Sequence, residues 1–438
     1  MAFGGNFVRS RLVMMKILHV LETSIPHTVG YTIRARSIVE NQRRAGMEPV
    51  VVTSPFFPSK LVRAAVEELD GVLYYRTNHI RAPGSARTKV GSYLLRLMMV
   101  ARYRRAVLDI AIKERPDVIH AHSSYTNAYA ALPAARRLGI PLVYEVRTLW
   151  GESAVVEDGL RADSPKHRLI WKLELGAMRR ADVVVPISRG IREELIARGI
   201  APEKLEVVPN GVDTERFKPV PRDTSRARGL GLEGSFVIGF LGSIRKLEGI
   251  VTLLEAYKLC QERRADVALV IVGDGPERPL LEARARQLGL KSVVFPGNVP
   301  HEEVASWYSI MDLMVYPRIR AVINERVTPL KPLEAMALGK VCVGSDVGGL
   351  LELIRNDETG MIFRSGDHSD LAAVVLALID DPGRMERLRG AAFDFIKRER
   401  EWSSIVERYR EIYAGRVGAK RGGAMRGEEG FGPRRQNG

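Results

Sequence analysis

Short apolar runs alternate along this chain with longer stretches of helical spacing, and the alternation restarts once. The first run, Lys16-Ile17-Leu18-His19-Val20-Leu21, reads as a buried strand. A loop holding Pro26 and Gly30 follows, then helical spacing over 31–45 and a second apolar run at 49–53. Further runs at 117–122, 142–145 and 181–186 are separated by helical stretches. Such alternation predicts a parallel sheet covered on both faces. From 207 to 228 the periodicity lapses into a charged, proline-containing segment that marks a linker. Beyond it, runs at 235–241, 267–272, 293–295, 313–316 and 341–344, with helices over 249–260 and 332–338, rebuild the same pattern. The expected fold class is therefore α/β, with two Rossmann-like doubly wound domains facing a central cleft. The repetition is architectural, because no sequence repeat joins the halves. The boundaries read as an extension at 1–13, an N-terminal domain at 14–205, a linker at 206–234, a C-terminal domain at 235–398, and a Gly- and Arg-rich tail at 415–438 for which composition predicts disorder.

Composition narrows the class. The 438 residues carry 67 Lys+Arg against 52 Asp+Glu, a formal net charge of +15, with 45% hydrophobic residues. That balance is globular and excludes collagen-like, coiled-coil and wholly disordered chains. Cys260 and Cys342 are too few for a disulfide framework and point to a reducing, cytoplasmic setting. No apolar stretch nears the roughly 20 residues of a membrane-spanning helix. Residues 1–13 lack the apolar core and cleavage site of a signal peptide. The surplus positive charge implies a polyanion, a membrane surface or a phosphorylated substrate.

Ligands of open parallel sheets sit at the carboxyl ends of the strands, so candidate chemistry is sought there. The most informative segment is 325–340, ERVTPLKPLEAMALGK. Pro332 suits the first turn of a helix and Gly339 its end. The opening amides of that helix, with Lys331 beside them, offer an anion site. Glu334, one turn in, can accept hydrogen bonds from vicinal hydroxyls such as those of ribose. An ordinary helix with a first-turn Glu is the plain alternative. His120 and His122 end a strand and share one face by alternation. Two histidines without a third ligand give no metal site, and no D-x-D pair is present to hold a metal.

The 325–340 segment resembles the E-x7-E region of family 4 retaining glycosyltransferases, enzymes of GT-B fold. Val208-Pro209-Asn210-Gly211-Val212-Asp213, followed by Phe217 and Pro219, is similar to the family's interdomain signature. Gly273-Asp274-Gly275-Pro276 resembles its GDGP loop, and Val294-Phe295-Pro296-Gly297-Asn298-Val299 the segment near the nucleotide base. Ser345-Asp346-Val347-Gly348-Gly349 with Glu352 resembles its S-x-x-G-G-x-x-E turn. The motifs run in order over about 16–415. Ser24-Ile25-Pro26-His27, Gly30-Tyr31-Thr32, His120-Ala121-His122-Ser123 and Tyr144-Glu145-Val146-Arg147 are similar to members associated with bacterial exosortase and exopolysaccharide systems.

The resemblance implies a metal-independent hexosyltransferase with no cofactor. It would move a sugar from a UDP- or GDP-sugar, with retention, to a glycan or lipid-linked acceptor in cell-surface polysaccharide synthesis. It also implies a helix at 399–414 that returns to the N-terminal domain. Carried over residue by residue, Glu334 holds the ribose hydroxyls. Lys331, Leu330, Gly242, Ser243, Arg245, Gly273, Gly297 and Val299 surround the donor, and Gly30 lets backbone approach the donor diphosphate or the acceptor. His122 contacts the donor sugar, with Lys246 and Glu325 at the reaction centre. Tyr31, Glu145 and Arg147, with Trp150 and Glu152, line the acceptor side.

Two departures stand out. Eight positions before Glu334 lies Arg326, while the acidic residue is Glu325, one further away. Either the loop carries one extra residue and Glu325 still reaches the sugar, or that contact is lost. In the loop 242–249, GSIRKLEG, Ser243 and Glu248 occupy places where the family has Arg and Lys. Arg245 and Lys246 in the same loop, together with Lys331, are the candidates for the charge that a departing nucleoside diphosphate requires.

Other classes fit less well. A dinucleotide oxidoreductase lacks its G-x-G-x-x-G, since Gly273-Asp274-Gly275 is followed by Pro276. A nucleotide-sugar 2-epimerase of the same fold is the runner-up. Nucleic-acid binding has only the charge in its favour and no recognisable module. That charge is local: 71–108 holds Arg76, Arg81, Arg87, Lys89, Arg96, Arg102, Arg104 and Arg105 with no acidic residue. With the apolar stretch 93–100 inside it, the segment reads either as a surface for an anionic membrane face or as a core helix with solvated ends.

Overall fold

The computed structural model describes residues 14–27, 30–78, 89–157 and 159–428. Seven strands form one sheet: β1 (Lys16–Leu21), β2 (Glu48–Thr53), β3 (Val66–Leu69), β4 (Val72–Arg76), β5 (Val118–His122), β6 (Leu142–Val146) and β7 (Val183–Pro186), in the order β3-β4-β2-β1-β5-β6-β7. Six more form a second: β8 (Phe236–Leu241), β9 (Val267–Val272), β10 (Val293–Gly297), β11 (Leu313–Tyr316), β12 (Val341–Ser345) and β13 (Met361–Phe363), ordered β10-β9-β8-β11-β12-β13. The expected two Rossmann-like α/β domains are present. Every residue of β9, VALVIV, is buried, as parallel strands covered on both faces require.

One compact unit comprises the described residues up to Tyr144, together with 180–182 and those from Arg410 onward; the other comprises the described residues of 145–179 and 183–409. In the second unit the segment after β7 is tethered. Val212 N–H bonds to Arg400 O at 2.8 Å, Trp402 N–H bonds to Val212 O at 3.2 Å, and Phe217 is buried in the core.

Three differences from the sequence reading have physical causes. β3 and β4 form an antiparallel edge hairpin, closed by Asp70 and Gly71 at φ 51° and 73°, a primed turn. Its alternation of exposed and half-buried residues in β3 hides it among loops. Across this hairpin Arg76 is buried against Glu67 at 2.8 Å, with its guanidinium over the rings of Phe57 and Tyr74. It therefore contributes no charge to a basic surface, whereas Arg102, Arg104 and Arg105 are exposed on the helix Lys89–Glu114. Arg81 and Arg87 lie outside the described residues. The third difference is the helix Trp402–Glu428, which continues through residues 415–428, where composition predicted disorder. Lys420 Nζ bonds there to Ile140 O at 2.9 Å and Asp182 Oδ2 at 3.1 Å, contacts that hold glycine-rich turns which would fray alone. The extension 1–13 and the tail's last ten residues lie outside the described residues. Among the described residues no helix is long and apolar enough to cross a membrane.

Candidate functional site

In the first unit, β1 and β5 pair in parallel with His19 opposite His120, and alternation puts His122 on the same face. All three imidazoles are at most 1% exposed, and the His120 and His122 rings stack at 4.0 Å. His122 Nε2 meets His19 Nδ1 at 2.8 Å, His19 Nε2 meets Gln42 Oε1 at 2.7 Å, and Gln42 Nε2 donates to the Tyr413 hydroxyl at 3.0 Å. That hydroxyl meets His120 Nδ1 at 2.7 Å. His19 thus supplies the third histidine that sequence reasoning missed, and one ligand atom from each ring lies within 4.8 Å of the others. Zinc held at about 2.0–2.1 Å by tetrahedral ligands would separate the nitrogens by about 3.3 Å. The observed 2.8 Å between His19 and His122 is a shared-proton distance. Tyr31, in the first turn of the helix Gly30–Arg44, is 40% exposed, and a Cβ added to Gly30 would meet nothing within 4 Å.

In the second unit, three loops at the carboxyl ends of β8, β9 and β10 are joined by backbone hydrogen bonds. Gly242 N–H bonds to Val272 O at 3.0 Å, Ile244 N–H to Asp274 O at 2.9 Å, and Gly273 N–H to Gly297 O at 2.9 Å. The resemblance had placed Gly242, Gly273 and Gly297 around the donor, and the structure brings them together. Ser243, Arg245 and Lys246 are exposed on this loop, and Val299 packs against the core. Glu248, where the family has a cation, pairs with Arg318 at 3.1 Å. Arg318 follows β11 and was missed, although a basic residue just past a strand's carboxyl end is the available signal.

The segment before Glu334 is clamped on several sides. Asn324 Nδ2 donates to Leu247 O at 2.9 Å and Ile319 O at 2.8 Å, Ser188 Oγ to Arg326 O at 2.5 Å, and Asn210 Nδ2 to Thr328 O at 2.8 Å. The helix after it, Lys331–Ala337, is only seven residues long. Leu330 precedes its first residue, and Lys331 Nζ holds Glu334 Oε2 at 2.8 Å with Glu334 5% exposed. Glu325 is held at both carboxylate oxygens: Oε2 accepts the Gly348 amide at 2.8 Å and Oε1 the Arg320 guanidinium at 3.0 Å. Arg326 lies 3.4 Å from Glu194. Glu352 accepts the amides of Arg189 and Gly190 at the start of the helix Arg189–Ala197.

Glu145, fully buried, accepts Arg147 Nε at 2.5 Å and also the Tyr409 hydroxyl. Glu152 accepts Trp171 Nε1 at 3.2 Å, and the amides of Trp150 and Gly151 donate to the buried Glu174. Burial pushes the Glu174 carboxyl up to about 7, against which those amides only partly act. Between about pH 4.5 and 7 the folded chain keeps a proton that the unfolded chain has released. Stability therefore falls as pH rises through that window, by about 3 kcal/mol in all, and levels off above it. Denaturant titrations at pH 5 and 8 check this. The decrease is expected to shrink in Glu174→Gln, and an equal decrease in both proteins would refute it.

Residues 30–216 match the model of Glycosyltransferase Family 4, and residues 221–395 that of Glycosyl transferases group 1. The chain is 32% identical over 318 residues to D-inositol 3-phosphate glycosyltransferase 1 of Catenulispora acidiphila, covering 70% of this chain and 74% of that protein. It is 29% identical to the GDP-mannose-dependent alpha-mannosyltransferase of Mycobacterium tuberculosis, covering 81% and 85%. Among solved structures, Anabaena HepE in complex with UDP aligns with a TM-score of 0.69 at 20% identity over 92% of this chain and all of that one. Sucrose-phosphate synthase of Thermosynechococcus elongatus aligns at 0.73 with the same identity and coverage. These structural likenesses speak to the fold alone. The relatives named are transferases, which gives the epimerase alternative no support. The chain belongs to glycosyltransferase family 4 and has the GT-B fold.

Proposed function

We propose that this glycosyltransferase moves a hexosyl group from a UDP- or GDP-sugar to a ring hydroxyl of a cyclic polyol or glycan, free or lipid-linked, with retention and without a metal ion. The observation that carries the donor half is the Lys331–Glu334 pair, set in the same unit as the joined loops of Gly242, Gly273 and Gly297. A carboxylate held by a lysine is a fixed acceptor for ribose hydroxyls. Arg245, Lys246, Lys331 and Arg318 supply positive charge for a departing diphosphate. The acceptor class is supported by relatives named for inositol phosphate and 2-deoxystreptamine. Retention is supported by the alpha-mannosyltransferase relative, whose nucleotide-sugar donor is itself alpha-linked. In this reading the donor phosphate takes the acceptor's proton, while the protein positions both partners and stabilises the leaving group. His122 lies by the donor sugar.

A thermal-shift screen of UDP-, GDP- and ADP-glucose and the matching mannose donors tests the reading. At a hundredfold excess over Kd, the correct donor stabilises the fold by about 2.7 kcal/mol. No shift with any nucleotide sugar would sink it.

A further inference from the structure

In this chain Ser243 and Glu248 stand where the family resemblance expects cations, and the structure shows what faces the second of them. β8 and β11 are parallel neighbours, and the chain leaves β8 toward β9 on one side and β11 toward β12 on the other. A crevice between two strands whose connections diverge in this way is where open parallel sheets bind ligands. Glu248 lies in the loop after β8, Arg318 in the loop after β11, and the two pair there at 3.1 Å. Backbone contacts fix them on either side. The Ile319 amide donates to Leu247 O at 3.2 Å, and a Cβ added to Gly249 would lie 2.0 Å from Pro317 O. The carbonyl of Arg318 accepts the hydroxyls of Ser345 at 2.6 Å and Ser365 at 3.0 Å.

A guanidinium can grip oxyanions along two edges, each offering a pair of N–H groups. Glu248 takes the edge of Nε and Nη2, with its oxygens at 3.3 and 3.1 Å. The edge of Nη1 and Nη2 keeps one N–H on each nitrogen, since its further contact among the described residues is a single long bond of 3.4 Å from Nη1 to Val327 O. The Arg318 side chain is 13% exposed, whereas Lys246 is exposed to water, which weakens the pull of its charge. The same end of β11 supports the helix Lys331–Ala337, because Tyr316 donates its hydroxyl to Lys331 O at 3.1 Å. Val327 and Lys331 bound the stretch that leads into Glu334. Arg318 thus stands at one end of that stretch and the carboxylate proposed for ribose at the other. We infer that Arg318 takes the place of the missing cation at 248 and grips the β-phosphate of the nucleotide along its Nη1–Nη2 edge, with Glu248 as the positioning residue that holds the other edge. The inference rests on the donor reading of Glu334. As the acceptor oxygen bonds the anomeric carbon, the bond from that carbon to the β-phosphate oxygen breaks. The electron pair left on that oxygen meets the guanidinium, and the acceptor's proton goes to the phosphate.

Calorimetric titration of the full-length protein with nucleotides tests this without turnover. UDP is compared with UMP, or GDP with GMP where the donor screen selects guanine. The members of a pair share base, ribose and α-phosphate, so the ratio of their dissociation constants isolates the β-phosphate. In Arg318→Met the preference for the diphosphate falls about thirtyfold, the worth of one hydrogen bond between charged groups, while monophosphate affinity stays within about twofold. Arg318→Lys keeps the charge, loses the fork and falls between the two. The double variant Glu248→Gln/Arg318→Met removes both charges and leaves no carboxylate without its partner, so it reports the same loss where the single variant folds poorly. An ion pair that only supports the fold would weaken both nucleotides alike or neither. An unchanged ratio in Arg318→Met and in the double variant therefore overturns the inference, as does an equal loss of both affinities. A wild type that binds neither UDP nor GDP overturns it together with the donor reading. Wild-type binding with an unchanged ratio in the variants overturns the inference alone.

Discussion

Glu334→Ala is expected to lower kcat/KM about a thousandfold while leaving thermal unfolding within about 1 kcal/mol of wild type. The carboxylate is 5% exposed and pinned by Lys331 Nζ at 2.8 Å, so it awaits a partner in one orientation. Two hydroxyls donating to a charged acceptor contribute about 1.5–3 kcal/mol each. A combined loss of about 4 kcal/mol corresponds to three decades in rate. The fold tolerates the change because Ala favours the helix and the partly exposed Lys331 returns to water. A 2′-deoxyribose donor makes the test specific. The wild type should turn it over much more slowly than the ribose donor, whereas Glu334→Ala should scarcely distinguish the two. Wild-type turnover by the variant would remove Glu334 from the donor site.

The parallel strands were largely legible because strands buried on both faces read as unbroken apolar runs: β1, β9 and β11 match their sequence-read bounds, and β2, β5, β6, β7, β8, β10 and β12 shift by a residue or two. The edge was less legible. β3 is VEEL, half in water, and only the Asp70-Gly71 pair signalled a hairpin. Missing that hairpin also concealed Glu67 as the partner of Arg76, which made a buried ion pair look like surface charge. Similarly, β13 has three residues, too few for any period to show.

The site divides along the same line. Gly242, Gly273, Gly297, Lys331 and Glu334 sit in short contiguous motifs, and short motifs survive in a one-dimensional reading. Residues that work by meeting across the fold do not. His19 looks like one more strand residue until β1 is laid beside β5. Gln42 and Tyr413 carry no local signal because their partners are brought together by the return of the C-terminal helix. Glu325 shows the converse. Spacing offers an acidic residue near the expected place but cannot reveal what orients it, and its carboxylate bonds to Gly348 N–H and Arg320.

Gly273→Ala should destabilise the second unit by about 4 kcal/mol and abolish transfer. Gly273 has φ +132°, and a Cβ there would lie 1.8 Å from Gly242 O. The obstruction is backbone on a loop tied by the Gly242–Val272 and Gly273–Gly297 bonds, so no flexible side chain can swing aside. Overpacking typically costs about 1–3 kcal/mol and a side chain forced into such a backbone region a similar amount. That sum is a large share of the roughly 5–15 kcal/mol that holds a domain together. If the loops part to admit the methyl group, Gly242 and Gly297 move with them, and a displacement of about 1 Å at a reacting group can cost a hundredfold in rate. Gly30→Ala supplies the contrast, because nothing lies within 4 Å of its added Cβ. Its stability should stay within about 0.5 kcal/mol of wild type. If donor backbone contact occurs there, KM for the nucleotide sugar should rise instead. Denaturant titration and donor kinetics on both variants separate a glycine required by the fold from one required by the ligand. Wild-type stability in Gly273→Ala would show that the loop junction can open without cost, and the joined loops would then no longer be the rigid base of the donor site.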